Sequence, residues 1–509
     1  MTSPTIDSPS TTKTTRPEDA RLGPGPTFGY GIQHILAMFG GVIAVPLIIG
    51  GVAGLDTAEK AILVACGLFV SGLATLLQTL GVPYVGSQLP LVQGTSFAAV
   101  STMTAIIGDD GTEGLQHVYG AIIVAAAVGF VITPFFARVV RFFPAVVTGS
   151  IITVIGLSLM PVAARWITGN ATITVDGAAV ENPDFASMDN ILLALFSFLV
   201  VIVLSKIQAL SRLAVLLGLA IGTIVALIFG MVDVSAVATA AVFAFPQPFA
   251  FGLPQFAIGA IVSMLIVVLV IMVETTADIL AVGEVVGTKV DARRVGNGLR
   301  ADMGASVIAP VFNAFPASAF AQNVGLVALT GIKSRFAVAA GGVVLVVLGL
   351  SPMASAVFSL IPGPVLGGAG IVLFGSVAAS GVRTLSKVQF KNNNNLVIVA
   401  AALAFGLIPV VSTDFWQAFP EWFATIFDSG ISSAAIVAVL LNLFFNVFLP
   451  GTPEEPDNLA AAPPLQVQTT EIKILSEGGE LTADSYEPDS RTEGTRAKDP
   501  DANKDASDH

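Results

Sequence analysis

The sequence predicts an all-α polytopic membrane protein, from its composition, the length of its apolar runs and the placement of its charges. Of its 509 residues, 54% are hydrophobic and only 11% are charged. The apolar residues fall in runs of about 20, the length that an α-helix needs to cross a bilayer. The single cysteine, Cys66, excludes an internal disulfide and a cysteine-based metal cluster.

Fourteen apolar segments lie between two polar tails. Residues 1–27, rich in Thr, Ser and Pro, and the acidic residues 451–509 predict disordered cytoplasmic tails. The first seven segments cover roughly residues 28–50, 58–80, 84–108, 116–138, 144–165, 189–208 and 212–231. The second seven cover roughly 256–283, 292–313, 314–331, 335–357, 362–379, 395–412 and 431–449. An even number of segments leaves both termini on the same side of the membrane.

The basic residues support this count, because cytoplasmic loops hold most of the Lys and Arg of a membrane protein. Residues 28–450 contain 15 of them, and with the N-terminus inside only Lys60 and Arg165 fall outside. The other 13 fall on or near the cytoplasmic side: Arg138, Arg141, Lys206, Arg212, Lys289, Arg293, Arg294, Arg300, Lys333, Arg335, Arg383, Lys387 and Lys391. We therefore predict a multi-pass protein of the cell membrane with both termini in the cytoplasm.

The third and tenth segments are interrupted at corresponding places. Two halves of seven segments insert in opposite orientations, so the sequence predicts two inverted repeats. In the tenth segment, Pro316 breaks the apolar run, and Gln322 and Asn323 begin a new half-helix. In the third segment, Pro90 and Gly94 break the run. Paired breaks indicate a binding site at the bilayer midplane; the alternative is that Pro and Gly merely kink two ordinary helices.

Few ionisable residues lie inside the apolar segments. Glu274 and Asp278 are four residues apart in the eighth segment, on one helix face. A carboxylate at bilayer depth costs about 3 kcal/mol or more unless it is protonated, paired or hydrated, so the two predict a polar cavity. Asp302 is a third candidate, although it could pair with nearby Arg300 or cap a helix. His34 serves either as a hydrogen-bonded packing residue or in a proton relay.

Several of these motifs together resemble one transporter family. Residues Gln322 to Gly331 match the signature of the nucleobase-ascorbate transporters, which are nucleobase cation symporters of family 2. The pair Gln33-His34, the run Gln93-Gly-Thr-Ser-Phe97, and Glu274 with Asp278 resemble that family as well. The resemblance covers about residues 28–450, which is the whole chain apart from its tails.

The resemblance implies a two-domain membrane fold. Segments 1–4 and 8–11, residues 28–140 and 256–358, would form a substrate-binding core domain. Segments 5–7 and 12–14, residues 141–255 and 359–450, would form a gate domain that also carries the contact of a homodimer. Short antiparallel strands would interrupt segments 3 and 10.

The resemblance also implies roles for single residues. Gln322 and Glu274 would bind the polar edge of the substrate, Phe97 would stack on its ring, and backbone N–H groups near Ser96 and Ala321 would complete the contacts. Asn323 and Gly41 are further candidates for the substrate site, since Gly41 allows a ligand to approach the first segment closely. The candidates for proton coupling are Glu274, Asp302, Asp278 and His34. Asp278 stands where some relatives have histidine.

The buried carboxylates and the resemblance together predict a proton-coupled nucleobase symporter. The resemblance implies xanthine or uric acid as the imported substrate, because glutamine at position 322 goes with purine carriers in that family, and it implies an elevator-type movement. The coupling ion would be the proton, and no cofactor, metal or nucleic-acid partner is expected. The alternatives are a uracil or other nucleobase permease, a sulfate-permease-like anion transporter, or a receptor acting through the acidic tail. An enzyme is not predicted, because the sequence contains no nucleophile–base set or metal cluster.

Overall fold

The computed structural model describes residues 16–448 apart from 109, 137–141, 170, 176–177, 208–209, 233–240 and 391–392. Within these residues the chain is mostly helical and contains four short strands. The predicted acidic tail at 451–509 and the first 15 residues of the predicted N-terminal tail lie outside the described residues.

The helices and strands follow the predicted segments with several interruptions. In the first half the helices are α1 (Pro24–Val52), α2 (Thr57–Leu80), α3 (Val100–Ile107), α4 (Gly111–Ile132), α5 (Ala145–Ser158), α6 (Met160–Thr168), α7 (Met188–Lys206) and α8 (Ala214–Ile228). In the second half they are α9 (Ile258–Val286), α10 (Ala292–Ile308), α11 (Ala321–Thr330), α12 (Arg335–Gly349), α13 (Pro352–Ser359), α14 (Gly363–Leu385), α15 (Asn393–Val411), α16 (Glu421–Phe427) and α17 (Gly430–Leu443). The strands are β1 (Gln93–Thr95), β2 (Thr172–Val175), β3 (Ala178–Glu181) and β4 (Ala317–Ala319).

Nine helical spans of the described part are long and apolar enough to cross a membrane, or ten if α12 and α13, bent by 85°, form one span. The other predicted segments fall short for physical reasons. The third and tenth segments are part strand and part short helix. The helix of the seventh segment has only 15 residues, and that of the ninth has 17 and carries several charges. Fourteen spans and two inverted repeats therefore stay predictions.

The two interrupted segments meet in a two-stranded antiparallel sheet. Its register places Gln93 opposite Ala319, Gly94 opposite Ser318, and Thr95 opposite Ala317. Two strands of three residues are not stable on their own. Side chains of the neighbouring helices accept hydrogen bonds from further backbone N–H groups of both strands. The Gln93 N–H donates to Thr75 Oγ1 of α2 at 3.0 Å, and the Ala317 N–H donates to Ser306 Oγ of α10 at 2.9 Å. The prediction of short antiparallel strands in these two segments is confirmed.

The helices approach one another in two groups. One group holds α1–α4, α9–α13 and the β1–β4 pair, and the other holds α5–α8, α14, α15 and α17. The groups also touch each other, because α9 packs against α16 and α17 and α1 packs against α8. In the first group, a Cβ added to Gly72 of α2 would lie 2.7 Å from the carbonyl oxygen of Gly342 in α12. In the second, a Cβ added to Gly156 of α5 would lie 2.6 Å from the carbonyl oxygen of Phe374 in α14. Glycine at these positions allows the close backbone approach that is common between membrane helices.

Residues 16–21 contact the helical body, which differs from the prediction of a disordered tail up to residue 27. Glu18 is fully buried and pairs with Arg294 at the start of α10. Asp19 pairs with Arg335 at the start of α12, at 2.7 Å. Composition alone could not reveal these contacts, because the partners are 276 and 316 residues away in the sequence. We call residues 16–21 the N-terminal clasp.

Candidate functional site

Gln322 lies in the first turn of α11, directly after β4. Its side chain is exposed to a cavity of about 270 Å³. The wall of this cavity combines α1 and the β4–α11 junction with α8 and α14, through Gly40, Gly41, Phe320, Val215, Leu373 and Ser376. The first N–H groups of a helix have no partner within that helix, so this end of α11 also offers backbone donors and a positive dipole end to a ligand.

Two aromatic rings bound the space beside Gly41. A Cβ added to Gly41 would lie 2.7 Å from Cε1 of Phe320 and 3.3 Å from Cε2 of Phe97. Phe97 also packs edge-on against Phe374 of α14, with ring centroids 6.0 Å apart and the planes at 74°. A glycine is therefore required at position 41 for α1 to approach both rings, and of the two rings Phe320 lines the cavity that contains Gln322 while Phe97 does not.

A buried hydrogen bond joins His34 of α1 to Asn323 of α11. The distance between Asn323 Nδ2 and His34 Nδ1 is 2.6 Å, and the two residues are 0% and 2% exposed. As the amide is placed, Nδ2–H donates to Nδ1, so the proton of the neutral imidazole lies on Nε2. The bond holds the first turn of α11 against α1.

Asp302 of α10 is fully buried and is held by α9. The Thr275 hydroxyl donates to Asp302 Oδ2 at 2.6 Å, and the Ala319 N–H of β4 donates to the Thr275 oxygen at 3.3 Å. The carboxylate is thereby connected to the strand pair through one hydroxyl. Arg300, which the sequence offered as an ion-pair partner for Asp302, instead donates to Asn297 Oδ1 at 2.9 Å.

Glu274 and Asp278 lie on the same face of α9, four residues apart. Glu274 is half-buried and Asp278 is 8% exposed. Among the described residues, neither carboxylate has a hydrogen-bond or ion-pair partner, and Asp278 Oδ2 is fully enclosed. Asp302 lies beside the same part of α9, because its carboxylate accepts from Thr275, which lies between Glu274 and Asp278 in the sequence. The structure thus brings the three predicted acids together, but none of them lines the cavity that contains Gln322.

The resemblance implies substrate contacts from backbone N–H groups near Ser96, and the N–H of Ser96 itself already has a partner. The Ser96 N–H donates to the carbonyl oxygen of Pro316 at 2.8 Å, because hydrogen bonding between the two interrupted segments continues one residue past β1. It is therefore occupied in this arrangement. Ala321, by contrast, is the first residue of α11, and in the described part of the chain no side chain caps this helix end.

Three residues of the site were not among the predicted ones: Phe320, Thr275 and Ser376. Phe320 directly precedes the predicted Ala321, so an aromatic side chain at the strand–helix junction was a usable signal. Thr275 follows Glu274 and could have been noticed as a hydroxyl beside a buried acid. Ser376 comes from a distant segment, and no local pattern indicates it. Within the described residues, no group of His, Cys, Asp and Glu is suited to hold a metal ion.

Comparison with known proteins identifies the family to which these features belong. The model of the permease family Xan_ur_permease matches residues 25–415. The chain is 40% identical to the uric acid permease PucJ of Bacillus subtilis, over 82% of this chain and 92% of that protein. It is 39% identical to the xanthine permease of Bacillus subtilis, over 84% and 95% of the two chains. It is 37% identical to the uric acid transporter UacT of Escherichia coli, over 87% and 91%.

Solved structures show a shared fold at low sequence identity. The transmembrane domain of a cyanobacterium bicarbonate transporter, BicA, superposes with a TM-score of 0.57 at 17% identity, over 82% of this chain and 97% of that one. Murine Slc26a9, an anion transporter, also gives 0.57, at 13% identity over 84% of this chain and 70% of that one. The match of the family model to residues 25–415 and the 37–40% identity to three permeases establish that this chain belongs to the Xan_ur_permease family of membrane permeases and is not an enzyme.

Proposed function

We propose that the protein imports xanthine or uric acid into the cell together with protons. The observation that carries this proposal is the position of Gln322 in a cavity that the aromatic ring of Phe320 also lines. Its amide both donates and accepts hydrogen bonds, so it can pair with the alternating donors and acceptors on the edge of a purine. The similarity to uric acid and xanthine permeases supports this choice of substrate.

The three acids beside the strand pair support the proposed proton coupling. A carboxylate in the membrane is costly unless it is protonated, paired or hydrated, and Glu274 has no partner among the described residues. We assign the transported proton to Glu274, with Asp302 and Asp278 sharing the charge of the cluster. The buried bond between His34 and Asn323 connects the segment of Gln322 to α1 and so supports the same network.

The location of the cavity supports alternating access by an elevator movement. Its wall comes from α1 and the β4–α11 junction in one packing group and from α8 and α14 in the other. A displacement of one group against the other would carry a ligand held by Gln322 past the opposite wall. We further propose that these groups correspond to a core domain (28–140 and 256–358) and a gate domain (141–255 and 359–450). In this proposal fourteen segments form two inverted repeats, both termini are cytoplasmic, and the gate domain forms a homodimer.

A sulfate-permease-like anion transporter is the main rival, because the fold is shared with anion transporters. The acids at positions 274, 278 and 302 disfavour a doubly charged inorganic anion such as sulfate near the strand pair, since like charges repel in a medium of low dielectric constant. The family match also favours a nucleobase over an inorganic anion.

Radiolabelled uptake into cells that lack their own purine transporters tests the proposal. Xanthine or uric acid should accumulate, and a proton uncoupler should abolish the accumulation. Uracil in excess should compete weakly. Accumulation that is insensitive to the uncoupler would refute proton coupling. Stronger competition by uracil than by xanthine would refute the purine as substrate.

A further inference from the structure

A row of buried polar side chains begins at the protein surface that carries Arg293 and Arg294. The positive-inside rule assigns this face to the cytoplasm. Here an open cleft of about 700 Å³ is lined by both arginines, by Asn297 and by Ser87. Ser87 is only 1% exposed, and its hydroxyl has no hydrogen-bond partner among the described residues. The cleft thus ends at a polar group that is enclosed and unpaired.

Gln78 of α2 is the next side chain in this row. It is fully buried, and its Oε1 accepts a hydrogen bond from the Ser87 backbone N–H at 3.4 Å. Its Nε2 has no partner in the described part of the chain. Both residues meet the buried Ile279 side chain at Gly298 of α10, where an added Cβ would lie 2.5 Å from Ile279 Cδ1 and 3.2 Å from both Gln78 Nε2 and Ser87 Cβ.

Asp302 follows one helical turn beyond Gly298. The two residues are four apart on the same face of α10, about 6 Å along its axis. Asp302 Oδ1 is buried without a partner in the described chain, while its Oδ2 accepts from Thr275. Leaving a buried polar group unpaired costs about 1–3 kcal/mol, and water satisfies such groups where several of them converge. Ser87 and Gln78 meet at Gly298, and Asp302 lies one turn further along α10, so waters between Gln78 and Asp302 would satisfy the unpaired atoms of both.

We propose that Ser87 and Gln78 form the route by which the transported proton reaches the cytoplasm. This inference rests on the proposed proton coupling. The O–H bond of a carboxylic acid in the cluster at Asp302 breaks, and its proton passes to a water beside Gln78. That water gives one of its own protons to the next, until hydronium leaves at the cleft beside Ser87 and a carboxylate remains. Neither Ser87 nor Gln78 lines the Gln322 cavity, so the proton and the purine would leave by separate paths.

The test uses the full-length protein in liposomes and two readouts. An internal pH dye reports substrate-driven proton movement, and counterflow reports substrate exchange, which needs no net proton transfer. Gln78→Leu keeps the size of the side chain but removes the amide. It should lower proton movement about tenfold or more and leave counterflow within about twofold of the wild type. Ser87→Ala should lower proton movement about threefold or more.

Thr79→Val provides the matched control. Thr79 lies beside Gln78 on α2 and is equally buried, but its hydroxyl donates to the Thr75 carbonyl oxygen of its own helix at 2.7 Å. Both of its readouts should stay at the wild-type level. Equal losses of proton movement and counterflow in Gln78→Leu, or an unchanged proton movement, would overturn the route.

Two further outcomes are distinguishable. If Gln78→Leu does not fold, Ser87→Ala removes a single oxygen atom and decides the question by the same two readouts, with unchanged proton movement counting against the route. If the wild-type protein moves purines without any protons, the proposed coupling itself is wrong and the route is wrong with it.

Discussion

His34 and Asn323, which are 289 residues apart in the sequence, share a buried hydrogen bond of 2.6 Å. Asn323 follows Gln322 at the start of α11, and His34 lies one to two turns before Gly40 and Gly41 on α1. The bond therefore fixes Gln322, whose amide we propose binds the purine, relative to Gly40 and Gly41, which we propose leave room for the ligand. A change at either end should alter binding through geometry, without removing any group that touches the substrate.

Asn323→Ala should weaken purine binding about tenfold, because the first turn of α11 loses its anchor and the imidazole loses its partner. His34→Ala should have a similar effect. The double variant should lose little more than either single one, since the two changes remove the same interaction, with a coupling of about 1 kcal/mol. Isothermal titration of purified protein gives the four dissociation constants. Fully additive losses would contradict a shared role.

Gly41→Ala should weaken binding and uptake, because the new Cβ would lie 2.7 Å from the Phe320 ring and 3.3 Å from the Phe97 ring. Both rings would have to move, and we expect about a tenfold rise in the dissociation constant. Gly51→Ala is the matched control on the same helix, since nothing lies within 4 Å of its added Cβ. Wild-type affinity in Gly41→Ala would show that the ligand does not use this space.

The N-terminal clasp should contribute to stability in a pH-dependent way. Partial burial raises the pKa of Asp19, but the hydrogen bond and charge of Arg335 and the charge of Arg16 outweigh it and hold the pKa below its ordinary value. A depressed pKa means that the stabilisation is present above about pH 4 and is lost as the pH falls through the lower, folded-state pKa. Asp19→Asn should therefore lower the free energy of unfolding by about 1 kcal/mol or less at neutral pH, and the difference should shrink in acid.

Two companion variants test this prediction in thermal unfolding experiments across pH. Glu18→Gln should cost more, about 3 kcal/mol, because Glu18 is fully buried and its loss of charge leaves Arg294 without its counterion. Glu284→Gln, which changes an exposed carboxylate at the end of α9, should have no effect. A difference between Asp19→Asn and the wild type that grows in acid would refute the role of the ion pair.

The clasp also shows where sequence reasoning reaches its limit. Hydropathy predicted the long spans well, because burial in the bilayer leaves a local signal in every 20 residues or so. Proline and glycine marked the breaks at Pro316 and Gly94, since both act on the backbone of their own segment. The contact of Glu18 with Arg294 leaves no local signal in the sequence, because each residue looks like an ordinary charged residue of a polar segment. The cavity wall contributed by Ser376 was missed for the same reason.

Glu274→Gln should abolish proton-driven accumulation and spare exchange of substrate. The substitution keeps the shape of the side chain but removes the group that we propose carries the proton, so net uptake loses its driving force. Uptake in cells with and without an uncoupler, together with counterflow in liposomes, separates the two activities. Glu284→Gln, a change of the same kind on the same helix, should behave as the wild type. Full concentrative uptake by Glu274→Gln would mean that Asp302 or Asp278, and not Glu274, carries the proton.

Gln322→Glu should change the substrate preference of the protein. The amide offers one donor and one acceptor face, and glutamate replaces the NH2 donor with an acceptor in a cavity that has few other polar groups. The positive end of the α11 dipole favours the new carboxylate, so the charge should persist in the variant. A site that hydrogen-bonds its ligand penalises a mismatched edge, because buried partners are left unpaired.

The variant should therefore bind xanthine or uric acid at least about tenfold more weakly, a loss of about 1.4 kcal/mol or more, and should bind uracil more strongly than the wild type does. Gln322→Leu is the comparison that separates charge from shape. It removes the donor and the acceptor together, so it should weaken purine binding without any gain for uracil. Titration of both nucleobases into the three purified proteins gives the result. Unchanged purine affinity in Gln322→Glu would mean that Gln322 is structural and that the purine binds elsewhere.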